Sequence, residues 1–210
     1  MGAFHRTELD NPWAFVRGAA RILIADEDAL FPSSISDIIV TSSGATQYDA
    51  TSSWTDLGAT LTGITVSVNH TEETFTVDQV LGDIDSQPVS WECSVSTALA
   101  EMTLEHLQVA WEGSDISTNT GTSPDERTMG YGQPDSYTRR RLAVLYKNSD
   151  DLLRAFCFRR VQLQPVESSV AFNKTGEQIS IPVQFKALAD TDITDVKSRF
   201  FTIIEQKTTG

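Results

Sequence analysis

Strict alternation of apolar and polar residues is the dominant pattern along this chain. Ile64, Val66 and Val68 alternate with Thr65, Ser67 and Asn69. Phe75 and Val77 alternate with Thr74, Thr76 and Asp78, and Val89, Trp91, Cys93 and Val95 with Ser90, Glu92 and Ser94. A period of two puts successive side chains on opposite faces, so these runs predict half-buried strands with one polar face. The polar link Asn69-His70-Thr71-Glu72 predicts the turn of an antiparallel hairpin between the first two. The outward face of strands 64–69, 73–80 and 89–95 is then Thr and Ser with Asp78 and Glu92 added. Earlier in the chain, shorter strands are predicted at 20–25 and 36–41, separated by Asp26-Glu27-Asp28 and Pro32. The Ser-, Thr- and Gly-rich stretch 41–55 reads as a loop.

From Ser96 to Glu112 the period changes. Leu99 or Ala100, Leu104, Leu107 and Trp111 fall on one stripe at helical spacing, with Glu101, Glu105 and Gln108 elsewhere. This predicts the one helix of the chain, N-capped by Ser96 or Thr97 and ended by Gly113. Residues 113–138 are rich in Gly, Ser, Thr, Asn and Pro and predict a long loop; in a compact domain such a loop is functional or ordered by a partner. Strands return at Leu142, Val144 and Tyr146, at 153–163 after the turn Asn148-Ser149-Asp150-Asp151, at 179–187 and at 200–204. Pro182 places its strand at an edge or points outward. Residues 1–18 have no period, and Asn11-Pro12 followed by Trp13 and Phe15 reads as an arm that docks elsewhere. Many short strands, one helix and no βαβ rhythm predict a mainly β fold, a β-sandwich or barrel with one flanking α-helix. With no linker and no internal repeat, the 210 residues predict a single domain.

Charge changes this picture. The formal net charge is −13, and between Ile22 and Glu126 there is no Lys or Arg while 18 Asp and Glu occur. The flanks hold the remaining 11 acids and all 16 bases. A nucleic-acid-binding module needs cations against phosphates, and half of this chain offers the opposite. Such segregation favours acidic surface meeting basic surface between copies, or a surface that must not hold a polyanion. The only basic concentrations are Arg139, Arg140 and Arg141 with Arg159 and Arg160. Arg suits bidentate pairing with carboxylates, so these five are candidates for contacts between subunits. The absence of a long apolar run predicts no transmembrane helix. The N-terminus lacks a basic flank before an apolar core, which predicts no signal peptide and a protein made and kept in a cytoplasm.

Candidate chemistry is sparse. Cys93 and Cys157 sit in alternating runs and read as core packing. His5, His70 and His106 lie in unrelated contexts. Asp190, Asp192 and Asp195 have a faint calcium-loop spacing, without the glycine and closing Glu of an EF-hand, and read as a turn. The sequons at Asn69 and Asn173 carry little weight without secretion. No phosphate loop, zinc-protease helix or nucleophile elbow occurs. The expectation is no catalytic residue, no metal and no cofactor. Trp54, Trp91 and Trp111 fall on apolar stripes, which favours core packing over a sugar-stacking platform.

Five phrases occur in order: Trp54-Thr55-Asp56-Leu57-Gly58, Gly63-Ile64-Thr65-Val66, Thr76-Val77-Asp78-Gln79, Ala98-Leu99-Ala100-Glu101-Met102-Thr103-Leu104-Glu105, and Ile181-Pro182-Val183-Gln184-Phe185-Lys186-Ala187-Leu188. The set, which covers Trp54 to Asp190, resembles the major tail tube proteins of long-tailed, siphovirus-type bacteriophages. The resemblance implies a β-sandwich-like subunit that forms homohexameric rings. Strands of the six copies would join into a lumen-lining barrel, and rings would stack into the virion tail tube that conducts DNA at ejection. It implies a tail tip, a tape measure and a tail terminator protein as partners, assembly in the host cytoplasm, and no membrane. The arm and the loop 113–138 would suit contacts between rings. A DNA conduit should not bind phosphates, so Glu72, Glu73, Asp78 and Glu92 become the lumen candidates. Three other readings compete: a monomeric carbohydrate-type binding module, an enzyme with a spatially assembled carboxylate pair, and a distal-tail or secretion-tube protein of the same fold.

Overall fold

β-Branched and aromatic residues at alternating positions form strands wherever a neighbour is available to cover them. The computed structural model describes residues 20–41, 48–76, 83–101, 103–121, 123–133, 135–147, 152–164 and 180–207. Among these residues there are twelve strands: β1 (Arg21–Asp26), β2 (Ile39–Thr41), β3 (Tyr48–Ala50), β4 (Thr55–Asp56), β5 (Thr60–Thr76), β6 (Asp83–Leu99), β7 (Ser117–Asn119), β8 (Glu126–Thr128), β9 (Arg139–Lys147), β10 (Leu153–Leu163), β11 (Ile181–Leu188) and β12 (Phe201–Glu205). The helix α1 spans Leu104–Trp111, and 3-10 turns occupy Ile35–Asp37 and Val196–Ser198. The fold is mainly β, as expected, with antiparallel pairing throughout and one flanking helix.

Eight strands form one sheet in the order β4-β1-β9-β10-β11-β6-β5, with β12 also on β10. The sheet forks at β10. One edge of β10 pairs β9 along its length, while the other pairs β12 from Arg154 to Phe158 and β11 from Arg160 to Leu163. Two cores follow, one on each face. Ile22, Ile24, Leu142, Val144, Phe158 and Val161 share the first with Val95, Leu99, Ile181, Val183 and Phe185 of the β11–β6 branch. Leu23, Ala25, Ala143, Leu145, Ala155 and Cys157 face the other way, under Ile35, Ile38, Ile39 and Trp54. Burial on both faces explains the continuous apolar runs 22–25 and 142–145, which alternation alone would not require.

Three expected boundaries shift. β5 is continuous through Asn69-His70-Thr71-Glu72, where a turn was expected, because these residues pair in register with Glu92, Trp91, Ser90 and Pro88. A bulge at Thr71/Glu72 absorbs Val89, and the connection falls at 77–82, outside the described residues. The helix starts at Leu104 rather than Ser96. Residues 96–99 belong to β6, where Thr97 and Leu99 are buried opposite Val183 and Ile181. Thr103 is the N-cap, its side chain accepting from the His106 N–H at 3.2 Å, and Glu112 closes the helix in the left-handed region at φ 52°.

The segment 113–138 is not a plain loop. β7 and β8 pair within it, the Ser114 N–H closes it by donating to the Gly130 carbonyl (2.9 Å), and it is fastened to α1 by the Arg127–Glu105 ion pair and the Trp111–Tyr131 edge contact. Pro182 points outward, half-buried, beyond the reach of the β10 ladder. Residues 1–18 and the turn 148–151 lie outside the described residues.

Candidate functional site

The β5–β6 pair leaves the body as it lengthens. Its inner part is covered: Ile64 pairs Thr97 and Val66 pairs Val95, beside the first core. From Val68 to Thr76 on β5, and from Ile84 to Glu92 on β6, every residue is exposed. Large apolar side chains are among them: Val68 at 48%, Phe75 at 47%, Ile84 at 54%, Val89 at 62% and Trp91 at 54% exposure. An isolated two-stranded hairpin is marginal in water, and this one is open on both faces. The free edge of β5 pairs with no strand among the described residues. Its seventeen residues include no Lys, Arg or Pro, the residues that commonly blunt an edge against pairing with another chain.

The acidic candidates divide between the two faces. Thr65, Ser67, Asn69 and Thr71 stand opposite Ser96, Ser94, Glu92 and Ser90, giving the hydroxyl-rich face expected from the sequence. Lys186 of β11 reaches Glu92 at 3.5 Å on this face, a base the sequence reasoning had not placed there. Glu73 falls on the same side by alternation along β5. Glu72 lies on the other side, hydrogen-bonded to His70 at 3.0 Å, and His70 in turn stacks on Trp91 with ring centroids 5.1 Å apart. Since β5 does not turn at 69–72, its phase is never reset, and the two runs read as one outward face alternate out of step. Asp78 lies outside the described residues.

Behind Trp91, the hairpin and β12 enclose a mainly apolar groove of about 420 Å³, lined by Trp91, Cys93, Phe201 and Ile203 together with the charged Glu92 and Lys197. Trp54 is buried and Trp111 packs against the first core, but Trp91 stands half-exposed at this groove, contrary to its expected place in the interior.

Four of the five arginines engage partners within the chain. Arg140 meets Glu112 at 2.7 Å, with both side chains largely buried. Arg160 meets Glu27 (2.9 Å), Asp190 (3.5 Å) and Asp192 (3.2 Å). Arg159 lies 4.0 Å over the Phe31 ring and donates to the Ser198 carbonyl; Arg141 approaches the same ring at 5.6 Å and donates to the Glu27 carbonyl. Burial lowers the Arg141 pKa, and the neighbouring Arg159 and Arg160 add to this against the opposing pull of Asp190 and Glu27. Arg139 is exposed. The aspartates of the calcium-like spacing serve the turn: Asp190 and Asp192 face Arg160, and Asp195 caps the 3-10 turn through the Lys197 N–H.

Little nucleophilic chemistry is assembled. Cys93 and Cys157 are free and buried, and burial raises both thiols, Cys157 to about 12. His106 is buried with Nδ1 3.1 Å from the Glu101 carbonyl, far in sequence from His70 on the hairpin. Among the described residues no cluster of three metal-ligating side chains occurs, and no helix is long and apolar enough to cross a membrane. No family model matches the chain, and no curated protein is significantly similar to it.

Proposed function

We propose that this chain is a structural subunit that assembles with copies of itself, six to a ring, the rings stacking into the tail tube of a long-tailed bacteriophage. The observation that carries the reading is the β5–β6 hairpin, with a long strand edge that is unpaired among the described residues, free of Lys, Arg and Pro, and bordered by exposed apolar side chains. Adding strands from neighbouring copies satisfies the backbone groups of that edge, and closing the ring removes the last edge altogether. The acids Glu72, Glu73 and Glu92 on a hairpin with no Lys or Arg of its own suit a wall past which DNA must slide. The division of these acids between the two faces assigns Glu92 and Glu73 to one surface and Glu72 to the other, so only one set can face a lumen. The hydroxyl-rich face with Glu92 is the better lumen wall, because the opposite face carries Trp91 and Val68. On this reading the subunit is not an enzyme, and DNA passes without specific binding. The tail tip, tape measure and terminator proteins named by the resemblance are its further partners.

Electron microscopy of the purified protein, concentrated and seeded with a tail-tip preparation, tests the reading. Hollow tubes of stacked six-fold rings are expected; dispersed particles under all conditions overturn it. One observation favours a second reading. The half-exposed Trp91 beside a mainly apolar groove is the kind of aromatic platform that a carbohydrate-type module presents to a sugar ring. That module would be monomeric and would respond in a glycan array.

A further inference from the structure

The end of β1, the approach to β4 and one side of α1 enclose a second cleft, of about 740 Å³, the size of a small-molecule site. Four carboxylates line it, those of Asp26, Asp28, Glu105 and Asp115, against one cation, Arg140. Two of these five charges are already engaged. Glu105 pairs with Arg127, and Arg140, which stands opposite Asp26 in the ladder, turns to Glu112 at 2.7 Å. The side chains of Asp26 and Asp28 have no hydrogen bond or ion pair among the described residues, and Asp115 has a long bond from the Gln108 amide at 3.4 Å. The cleft therefore keeps three aspartates without a counter-charge.

Exposed acids are satisfied by water, but a buried histidine in the same cleft is not. His106 also lines it and is only 7% exposed. Its Nδ1 lies 3.1 Å from the Glu101 carbonyl, which can only accept, so Nδ1 carries the proton of the neutral ring and Nε2 is an acceptor. Nε2 has no partner among the described residues. No unpartnered side-chain nitrogen or oxygen is sealed from solvent there, so Nε2 opens on the cleft that His106 lines. A half-satisfied acceptor calls for a donor, and the three aspartates call for that donor to be a cation. The acids do not converge as a metal ion requires, because among the described residues no three metal-ligating side chains cluster. They are spread over the end of β1 and the segment after α1, and the apolar Ala29 and Val109 share the same lining. Spaced positive charges joined by methylenes match that layout, and aliphatic amines are protonated at neutral pH. We propose that this cleft binds a linear polyamine, one ammonium group donating to His106 Nε2 and the others lying along Asp26, Asp28 and Asp115. The proposal rests on the cleft alone and holds whether or not copies assemble through the hairpin.

The test is calorimetric titration of the dilute full chain with spermidine, a triamine. Saturable one-to-one binding is expected, about tenfold or more tighter than that of Mg²⁺ or a tri-lysine peptide at equal ionic strength. Asp28→Asn and Asp115→Asn, both at exposed positions, should each weaken it about two- to fivefold. His106→Leu should weaken it about tenfold or more, through loss of the buried acceptor. Should His106→Leu fail to fold, NMR of the unaltered chain reads the same contact. The His106 Nε2 resonance is expected to shift as spermidine is added, while that of His70, on the hairpin, stays in place. Absence of saturable binding overturns the proposal, and so does a His106 resonance that does not move or binding that the aspartate variants leave unchanged. Equal or tighter binding of Mg²⁺ overturns it in favour of a metal ion, and of the peptide in favour of a basic protein segment.

Discussion

β9 and the outer half of β6 are both antiparallel strands of apolar and polar residues, yet their side chains meet opposite surroundings. From Leu142 to Tyr146 every residue of β9 is buried, with β1 on one edge, β10 on the other and a core on each face. From Ile84 to Glu92 every residue of β6 is exposed, and β5 is the one strand that pairs with it there among the described residues. The difference is not one of strand propensity, because Val89 and Trp91 are as well suited to a strand as Val144 and Tyr146. It is one of cover. The body satisfies itself within one chain, while the hairpin presents the same kind of surface and leaves it open, as expected where the cover comes from another molecule.

Substitutions should separate the two regions. Phe158→Ala in the fully buried first core is expected to destabilise the dilute subunit by about 3–5 kcal/mol, read from its denaturant midpoint. Glu112→Gln leaves the Arg140 guanidinium without its carboxylate in a largely buried place, with an expected cost of about 3 kcal/mol by the same measurement. On the hairpin, Val89→Ser should change the stability of the dilute subunit by no more than about 0.5 kcal/mol, because an exposed side chain has little to lose. The same change should abolish pelletable assemblies. A midpoint shift as large as that of Phe158→Ala would mean that the hairpin is packed in the free subunit after all.

The β7–β8 hairpin is an intermediate case, exposed but fastened to α1 by polar contacts. The hydrogen bond from Arg127 holds the Glu105 carboxyl below the usual carboxylate range. A lowered folded pKa stabilises the docked arrangement above the unfolded value, and this is lost as pH falls through the folded one. An NMR titration should therefore find a depressed Glu105 midpoint, with exchange of the Glu126–Thr128 amides rising as the pH falls through it. Arg127→Gln should return the midpoint to the ordinary range.

Much of the frame was legible because alternation and strand length are local. The strands around Ile22, Val144, Cys157 and Val183 fell where their periods predicted. What misled was phase. Asn69-His70-Thr71-Glu72 looks like a polar turn, with an Asn that tolerates the left-handed region, but its exposure reflects a strand leaving the body rather than a chain reversing. That one misplacement gathered Glu72 and Glu92, which lie on opposite faces, onto one. The helix start was missed because Thr97 suits an N-cap and Leu99 a helical stripe as well as both suit a buried strand, and only pairing with β11 decides between them. The arginines were expected to pair between subunits, whereas Arg140 and Arg160 meet Glu27, Glu112, Asp190 and Asp192 of their own chain, partners that only the tertiary fold brings to them.

Amide hydrogen exchange along β5, resolved residue by residue in the dilute subunit and in pelleted assemblies, tests the role of the hairpin most directly. In an antiparallel pair, alternate amides of β5 point to β6 and the rest to the open edge. The open-edge amides of Thr60–Thr76 should exchange freely in the dilute subunit and slow by about tenfold or more in the assembly, as newly paired strands do. Assemblies in which those amides still exchange as in the free subunit would show that the copies join elsewhere and that the hairpin is not the junction.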